Sequence, residues 1–483
     1  MESINIRKAA AINFISRYMN VFVQLIINSV LARLLTPDDY GIVAIINVFI
    51  SFFAILADMG IGPAIIQNKE LDNTQISDIF IFTIFTAVLI SVGFILFCYP
   101  MSWFYNNSIY INLGKILSFS VLFNVLNIVP NAILLKNKRF KSLGIRNVAI
   151  TILGGIITII LAINGAKYYS LVINSILVSI LNFIFNFYYS KIKVKSTFSF
   201  KSVQLIKDFS KYQFGFNFIN YFSRNLDNLL IGKIMGSVYL GYYDKAYKLM
   251  LYPVQNLTHV ITPVMHPILS DYKDQKDIIY YKYLKIIKLL AYMGVFISVF
   301  CFFAPDEIIT IMFGNQWRES VPVFRILSLS IVLQMTLSST GAIFQSTGNT
   351  KYMFKCGVIS TFIMVSSILI GTYSKDLNLL AKCLVICFFV NFIQTYYILV
   401  KRVFNKSLVT FICSFKDIFI IGFVMIVINI ISINLGIYNS NLFEDKILIS
   451  FIIKLFINMF GYSSGIILTG KHKYVLRKVG KLA

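Results

Sequence analysis

The sequence predicts an all-α integral membrane protein of about 14 transmembrane helices, arranged as two six-helix bundles and two further C-terminal helices. The first observation is composition: 58% of the 483 residues are hydrophobic and 13% are charged, whereas soluble domains average about 45–50% and about 25%. The second is length, because about 20 apolar residues per span leave room for roughly twelve to fourteen helices. The third is that basic residues gather in alternate connections between the apolar segments.

The same arithmetic excludes several function classes. Almost no chain is left for a separate catalytic or nucleotide-binding domain, and no GxxxxGK[ST] loop is present, which excludes an ATP-driven pump in a single chain. The first ten residues lead into an apolar stretch without a cleavage pattern, so we expect no secretory signal. The six cysteines form no CxxC pair. We therefore expect small buried thiols, with no disulfide, metal or other cofactor.

Apolar windows separated by charged residues or by Pro and Gly place the spans along the chain, with helical periodicity throughout. The predicted spans cover residues 11–32, 41–66, 79–100, 112–135, 147–164, 169–190, 212–232, 240–269, 287–304, 322–346, 353–373, 378–400, 414–435 and 447–469. Each is long enough to cross a bilayer as a helix.

The distribution of basic residues predicts the topology of these spans. Segments on one side carry 30 Lys and Arg residues, and those on the other side carry seven. Because cytoplasmic loops are enriched in Lys and Arg, we expect both termini in the cytoplasm and an even number of spans. The net charge of +24 thus reflects membrane topology, and we expect no nucleic-acid partner.

A weak internal repeat at an offset of 200 residues predicts two equivalent bundles. Eight identities occur at this offset: Phe14 with Phe214, Asn20 with Asn220, Phe22 with Phe222, Asn28 with Asn228, Gly41 with Gly241, Ile61 with Ile261, Pro63 with Pro263 and Gln75 with Gln275. The offset covers six spans, so both units share one orientation. We therefore expect an N-terminal lobe over 1–190, a basic cytoplasmic linker over 191–211, a C-terminal lobe over 212–400, and two helices with a basic tail over 401–483.

Polar side chains follow one face of several predicted spans. The set expected to line a cavity is Asn13, Asn20, Gln24 and Asn28 in the first span, Asn217 and Asn220 in the seventh, and Gln255 in the eighth. Polar groups in a membrane usually face the bundle interior or a watery cavity. Hydrogen bonding that holds helices together is the structural alternative.

Charged groups in the spans point to an anionic cargo. We expect Arg17, Arg224, Lys248 and Arg325 to bind it, because a full charge needs water, a counter-ion or an anionic ligand and the planar arginine fork suits phosphate oxygens. Asp58 and Asp227 are the candidates for H⁺ or Na⁺ coupling. Arg224 and Asp227, three residues apart, could instead neutralise each other. Lys115, Lys245 and Lys454 lie near predicted span ends, and we expect them to snorkel to the interface.

Four stretches resemble bacterial polysaccharide transporters, the Wzx-type O-antigen flippases of the MOP exporter superfamily. They are residues 17–70, residues 221–274, FGNQWRESVPVFRILSLS and TGAIFQSTGNTK. The resemblance implies two six-helix lobes around a V-shaped cationic cavity. It also implies that an undecaprenyl-pyrophosphate-linked oligosaccharide, an O-antigen or capsule repeat unit, is moved across the bacterial inner membrane. The protein would then be no enzyme, and we expect a monomer that works by alternating access beside polysaccharide assembly partners.

Two alternatives remain open at this level. An integral-membrane polysaccharide polymerase or ligase would act on the same lipid carrier, but a large extracytoplasmic catalytic loop is expected there. The longest outer loop, around 305–321, has under twenty residues and one arginine. A small-molecule or drug antiporter of the same superfamily is the second alternative, for which an acidic cavity is expected, and the cationic stripes argue against it.

Overall fold

The structure is a computed structural model that describes residues 6–68, 71–137, 139–195, 198–202, 204, 221, 225–270, 275–438 and 446–470. Within these residues the chain is helical and contains no β-strand, which confirms the all-α prediction. The chain forms two compact units that divide between Gly241 and Tyr242.

The helices follow one another with short connections. In the first unit they are α1 (Ile6–Leu34), α2 (Pro37–Asp58), α3 (Ile61–Gln67), α4 (Asn73–Tyr105), α5 (Ile109–Leu126), α6 (Ile128–Lys136), α7 (Phe140–Ile163), α8 (Tyr168–Ser190) and α9 (225–234). They continue with α10 (Ser237–Ser270), which begins in the first unit, α11 (Lys276–Phe303), α12 (Pro305–Phe313), α13 (Ser320–Ser328), α14 (Ile331–Leu337), α15 (Thr340–Ser346), α16 (Thr350–Tyr373), α17 (Leu377–Tyr397), α18 (Leu408–Cys413), α19 (Lys416–Asn434) and α20 (Ile447–Leu468).

Apolar length alone supports fewer membrane spans than the fourteen predicted. Among the described residues, 10 helices are long and apolar enough to cross a membrane, and a bent pair makes up to 11. The predicted first, seventh and eighth spans are not among them. The first and eighth correspond to the polar helices α1 and α10, and the seventh falls largely outside the described residues. The total of fourteen, the topology and the cytoplasmic termini stay predictions.

The second predicted span, 41–66, is interrupted in the structure. Thr36 caps the start of α2 in a capping box with Asp39, and Pro37 occupies the first turn. The helix ends at Asp58, because Met59 and Gly60 take the left-handed conformation with φ of 42° and 78°. The rest of the predicted span is the separate short helix α3.

The tenth predicted span, 322–346, is also broken. Helix α13 and the following segment Ile331–Ser346 meet at an angle of 51°. The hydroxyls of Ser328 and Ser330 donate back to the carbonyls of Arg325 and Leu327, each at 2.7 Å. Such bonds compete with the helical ladder and bend helices, which is the physical reason for the break.

The second unit packs around α11. Tyr283 on this helix is fully enclosed, and its hydroxyl lies 3.2 Å from that of Tyr396 on α17. Helix α20 lies tightly along α19, since a Cβ added at Gly465 would be 2.9 Å from the Cα of Ile421. Buried Asn429 and Asn458 join the same two helices, because their side-chain amides exchange hydrogen bonds of 3.1 and 3.2 Å. Small residues and paired amides are the usual means of helix association in membranes.

Candidate functional site

Helix α1 carries the predicted polar stripe of the first span. Arg17, Asn20 and Asn28 are half-buried and Gln24 is exposed, whereas the side chain of Asn13 lies outside the described residues. The Oδ1 atom of Asn20 is buried and has no hydrogen-bond partner in the described part of the chain. Burying an amide oxygen without a hydrogen-bond donor costs free energy. The Oδ1 atom of Asn20 can therefore accept a hydrogen bond from a ligand or water inside the first unit.

Helices α1 and α7 pack side by side in the same direction. A Cβ on Gly144 would lie 2.7 Å from Ser16 Oγ, and a Cβ on Gly155 would overlap the side chain of Ile27. Both contacts keep the same difference in residue number, which means that the helices run parallel. At a rise of 1.5 Å per residue, Arg17 and Arg146 both lie within about 3 Å of the Ser16–Gly144 contact along the helix axes. The packing therefore brings two guanidinium-bearing positions to one depth.

Arg146 lies in a cluster of asparagines. Its Nη1 donates to Asn186 Oδ1 at 2.6 Å and to Asn131 Oδ1 at 3.4 Å. Its Nε and Nη2 donate to Asn147 Oδ1 at 3.1 and 2.6 Å. Asn186, which is fully buried, also donates to Asn127 Oδ1 at 2.7 Å. Arg146 forms no ion pair with a carboxylate of the described residues.

The sequence analysis missed Arg146 as a site residue because it placed this arginine in a cytoplasmic loop. The structure begins α7 at Phe140, so that Arg146 stands inside the apolar helix Lys141–Ile163. A signal was present in the sequence: Asn127 and Asn131 are four residues apart, as are Asn182 and Asn186. Amides at that spacing on two spans beside a basic residue predict a shared polar face.

The seventh span contributes little to the described structure. The predicted site residues Asn217, Asn220 and Arg224 lie outside the described residues, so their roles stay predictions. Asp227 on α9 is 4% exposed, and its Oδ1 accepts the backbone N–H of Asn228 at 2.8 Å. A carboxylate buried this deeply remains a candidate for ion coupling.

The predicted cation Lys248 on α10 has a partner on its own helix. Its Nζ lies 2.7 Å from Asp244 Oδ2, one turn earlier, while the lysine side chain is 64% exposed. Gln255, on the same helix, is exposed. Lys248 is therefore locally neutralised, and its attraction for an anion is weaker than its sequence position predicts.

Lys245 on α10 does not snorkel. The residue is 5% exposed, and its Nζ lies 4.9 Å from the ring centre of Phe313 and 5.3 Å from that of Trp317. Aromatic faces attract a cation over such distances. The expectation of an interfacial lysine was wrong here, because the rings come from distant parts of the chain. Lys115, in contrast, is exposed as expected.

Arg325 on α13 is paired across helices. Its Nη2 lies 3.3 Å from Asp306 Oδ2 in the first turn of α12, and the two side chains are 47% and 56% exposed. The sequence showed no carboxylate at helical spacing within the same span, but the partner comes from the preceding helix. This pair lowers the positive charge that Arg325 offers to a ligand.

Asp58 has a structural contact. Its carboxylate accepts the backbone N–H groups of Gly60 and Gly62, each at 3.2 Å, and so caps the start of α3. The capping explains why an acidic residue stands at the end of an apolar helix. Asp58 and Asp227 both stay candidates for ion coupling.

Helix α2 crosses the first turn of α10 at two glycines. A Cβ on Gly41 would overlap the backbone carbonyl of Ser237, and a Cβ on Gly241 would overlap that of Pro37. The Ser237 hydroxyl also donates to the carboxylate of Asp38. At the repeat offset of 200, Gly41 corresponds to Gly241 and residue 37 to residue 237, so the contact is reciprocal.

A buried ion pair in the second unit joins α12 to α20. Lys454 Nζ lies 2.6 Å from Glu307 Oε1, and their side chains are 11% and 7% exposed. Ser450 Oγ donates to the same oxygen at 2.7 Å. Lys454, like Lys245, was expected at the interface; it is instead held inside by a carboxylate from a distant segment.

Comparison with known proteins identifies the family. A family model described as polysaccharide biosynthesis protein matches residues 30–322, which is more than half of the chain. The chain belongs to this family.

Within the described residues, no three His, Cys, Asp or Glu side chains come together as metal ligands.

Several relatives of this polysaccharide biosynthesis protein match most of its length. A membrane protein in the cps region of Klebsiella pneumoniae is 24% identical over 464 residues, covering 94% of this chain and 92% of the relative. The lipopolysaccharide biosynthesis protein WzxC of Escherichia coli (strain K12) is 23% identical and covers 80% and 79%. The teichuronic acid biosynthesis protein TuaB of Bacillus subtilis (strain 168) is 24% identical and covers 70% and 71%.

Solved structures show the fold of the family member. The lipid II flippase MurJ in an inward closed conformation superposes with a TM-score of 0.71, covering 95% of this chain and 99% of MurJ at 16% identity. An inward-facing multidrug resistance MATE family transporter of the MOP superfamily gives a TM-score of 0.61, covering 80% and 96% at 16% identity. The chain therefore has the fold of MOP-superfamily transporters.

Proposed function

We propose that this polysaccharide biosynthesis protein is a flippase for a lipid-linked oligosaccharide. The cargo is an undecaprenyl-pyrophosphate-linked repeat unit, carried from the cytoplasmic to the periplasmic leaflet of the bacterial inner membrane. The observation that carries the proposal is the placement of Arg17 and Arg146 at one depth of the parallel helices α1 and α7. In a family of polysaccharide biosynthesis proteins, an anionic glycan carrier is the cargo that such cations suit.

Only the head group of the cargo needs a polar route. The C55 lipid tail stays in the bilayer, because exposing it to a polar cavity would cost about 0.8 kcal/mol per CH₂ group. The pyrophosphate and sugars need hydrogen-bond donors, acceptors and positive charge. The amides of α1, including Asn20 with its unpartnered oxygen, supply these groups.

The predicted cations contribute unequally to this route. Lys248 and Arg325 each have a carboxylate partner within 3.3 Å. Arg17 and Arg224 are the other two cations of the proposed route for the pyrophosphate. Bidentate hydrogen bonds from a guanidinium to phosphate oxygens are stronger than those of a neutral donor.

An ion gradient is the proposed driving force. The chain lacks a GxxxxGK[ST] nucleotide-binding loop, and Asp227 is a buried carboxylate on α9, the helix that corresponds to the end of α1 at the repeat offset of 200. Uptake of H⁺ or Na⁺ by this carboxylate would change the local charge during transport. Asp58, which caps α3, is the second candidate.

Alternating access is the proposed mode of transport. In this mode the polar route opens first to the cytoplasmic side, where it receives the cargo, and then to the periplasmic side, where it releases the cargo.

The polymerase or ligase alternative requires a large extracytoplasmic catalytic loop, and the longest predicted outer loop does not support it. Residues 305–321 form α12, a short 3₁₀ turn and the start of α13, and Trp317 within them is fully buried. Glu307 of the same segment is bound to Lys454. These residues pack into the protein instead of forming an open catalytic loop. The antiporter alternative shares the fold, and the predicted cationic character of the stripes argues against it.

The direct cellular test removes the gene and follows the lipid-linked glycan. We expect repeat units to accumulate on the cytoplasmic leaflet, protected from an impermeant oxidant added to spheroplasts. Complementation with Arg17→Ala or Arg224→Ala should fail although the protein reaches the membrane, and Arg→Lys should restore part of the export. Full export by the double alanine variant would contradict the cationic route.

A control separates the flippase from the enzyme. Purified protein given lipid-linked repeat units should leave their length unchanged, and lengthened chains would favour the polymerase.

The proposal also includes the two-lobe division at 1–190 and 212–400, a monomeric state and contacts with polysaccharide assembly partners.

A further inference from the structure

We propose that Arg146 and its asparagines form an oxyanion site that receives the pyrophosphate of the cargo at the cytoplasmic end of the first unit. This inference rests on the proposed flippase function. It adds a loading site on α7 to the cations predicted from the polar stripes. The ligand chemistry is a phosphate oxyanion, which could come from the cargo or from an anionic bilayer lipid.

The charge balance of the cluster is the first argument. The positive charge of a guanidinium inside an apolar helix needs a counter-charge or hydrogen-bond acceptors. Arg146 donates hydrogen bonds of 2.6 to 3.4 Å to amide oxygens, but to no carboxylate among the described residues. Amide dipoles solvate the cation without cancelling its charge. The second unit compensates Lys454 with Glu307. The cluster around Arg146 thus retains a net positive charge that an anion can neutralise.

The remaining donors are the second argument. The oxygens of Asn127, Asn131 and Asn147 accept hydrogen bonds within the cluster, but their Nδ2 groups donate none to the described residues. Each amide nitrogen carries two N–H donors. Several neutral donors beside one guanidinium are a suitable set for the oxygens of a pyrophosphate.

Access is the third argument. Arg146 is half-buried and Asn147 is exposed, so the cluster opens to the surface of the helix bundle. Basic residues lead towards it from the predicted cytoplasmic connection, including Arg139 and Lys141, which are both exposed. A surface of one charge sign raises the local concentration of oppositely charged ligands. An anionic head group approaching from the cytoplasm would meet these residues first.

The depth of Arg17 supplies the next position for the ligand. The parallel packing of α1 and α7 places Arg17 at the level of Arg146, on the helix whose polar stripe continues towards the other end of the membrane. Arg146 faces α6 and α8, on the side of α7 away from the Gly144 contact, so a head group bound there would move around α7 to reach α1 at the same depth. This arrangement makes Arg146 a loading residue and Arg17 part of the route.

Binding of inorganic pyrophosphate tests the site without transport. The protein is placed in nanodiscs of phosphatidylcholine, and affinity is measured for wild type, Arg146→Gln, Arg146→Lys and the control Arg318→Gln, which changes an exposed arginine of the second unit. We expect Arg146→Gln to weaken binding by about tenfold or more, the scale of one charge-assisted hydrogen bond. Arg146→Lys should weaken it less, and Arg318→Gln should match wild type. Binding by Arg146→Gln within about twofold of wild type, or no saturable binding by wild type, would overturn the site.

Two further arms keep the result interpretable. Asn147→Ala changes an exposed member of the cluster, so it should fold even if Arg146→Gln does not, and it should bind pyrophosphate more weakly than wild type. Undecaprenyl pyrophosphate in the disc should displace inorganic pyrophosphate, whereas phosphatidylglycerol at the same mole fraction should not. Equal displacement by phosphatidylglycerol would assign the site to bilayer lipid and overturn the cargo assignment. Normal glycan export in cells with absent pyrophosphate binding would overturn the loading role while leaving the flippase intact.

Discussion

The two units solve the problem of a cation in an apolar helix in different ways. In the second unit, Lys454 on α20 meets the carboxylate of Glu307 at 2.6 Å, and both side chains are almost fully enclosed. In the first unit, Arg146 on α7 is half-buried, and its side-chain partners among the described residues are amides. The charges of the first pair cancel without a ligand, whereas the second arrangement retains charge. We infer that Lys454 serves to join helices and that Arg146 serves to bind.

The largest expected effect comes from breaking the complete pair. Lys454→Ala should lower the free energy of unfolding by about 3–5 kcal/mol, because it leaves the buried carboxylate of Glu307 without its partner. Thermal denaturation of the purified protein in detergent measures this loss.

A neutral replacement of both partners is the control for that variant. Glu307→Gln combined with Lys454→Met removes both charges and should melt much closer to wild type than Lys454→Ala does. Equal melting of Lys454→Ala and wild type would show that the pair does not hold α12 and α20 together.

A smaller effect is expected at the centre of the amide cluster. Asn186→Ala should cost about 1–2 kcal/mol, since Asn186 accepts from Arg146 and donates to Asn127 while fully buried. Asn182→Ala is the matched control on α8, because its amide donates at 2.7 Å only to Val178 of its own helix. Thermal denaturation of both variants should rank Asn186→Ala as the less stable, and the reverse ranking would argue against a tertiary cluster.

Removal of the uncompensated charge should cost still less stability. Arg146→Gln is expected to change the free energy of unfolding by about 1 kcal/mol, because no buried counter-charge is left behind. Export of glycan should fall much more than stability does. If Arg146→Gln destabilised the protein as strongly as Lys454→Ala, the cluster would be a structural element like the pair in the second unit.

The smallest effect belongs to the exposed pair between α13 and α12. Asp306→Asn should change stability by less than about 1 kcal/mol, because Arg325 and Asp306 are about half exposed and solvent screens their attraction. Melting curves at low and high salt measure it. If Asp306→Asn lowered the free energy of unfolding as much as Lys454→Ala does, solvent exposure of an ion pair would not indicate how much it stabilises this protein.

Hydropathy and charge patterns predicted the helical class and most helix positions, because these properties are local in the sequence. The breaks at Asp58 and after Ser328 were not predicted, since they depend on left-handed residues and on hydroxyls that bond to the backbone. Periodicity also identified the polar face of α1. It could not show which carboxylate would meet which cation.

Some partners of the charged residues come from distant segments. Glu307 and Lys454 are far apart in the sequence, as are Arg146 and Asn186. The positive-inside count placed Arg146 in a loop, because basic residues at a span end look alike whether they lie inside or outside the helix. Only the packing of α6, α7 and α8 revealed that it belongs to a polar cluster.

Reconstitution into liposomes tests the flippase most directly. The vesicles contain a lipid-linked oligosaccharide with a fluorescent label on its glycan, and an impermeant quencher is added outside under an ion gradient. The account predicts that quenching continues beyond the outer-leaflet fraction until the inner-leaflet glycan is also consumed, and that it proceeds more slowly with Arg146→Gln. Quenching that stops at the outer-leaflet fraction, as in protein-free vesicles, would contradict the proposed flippase.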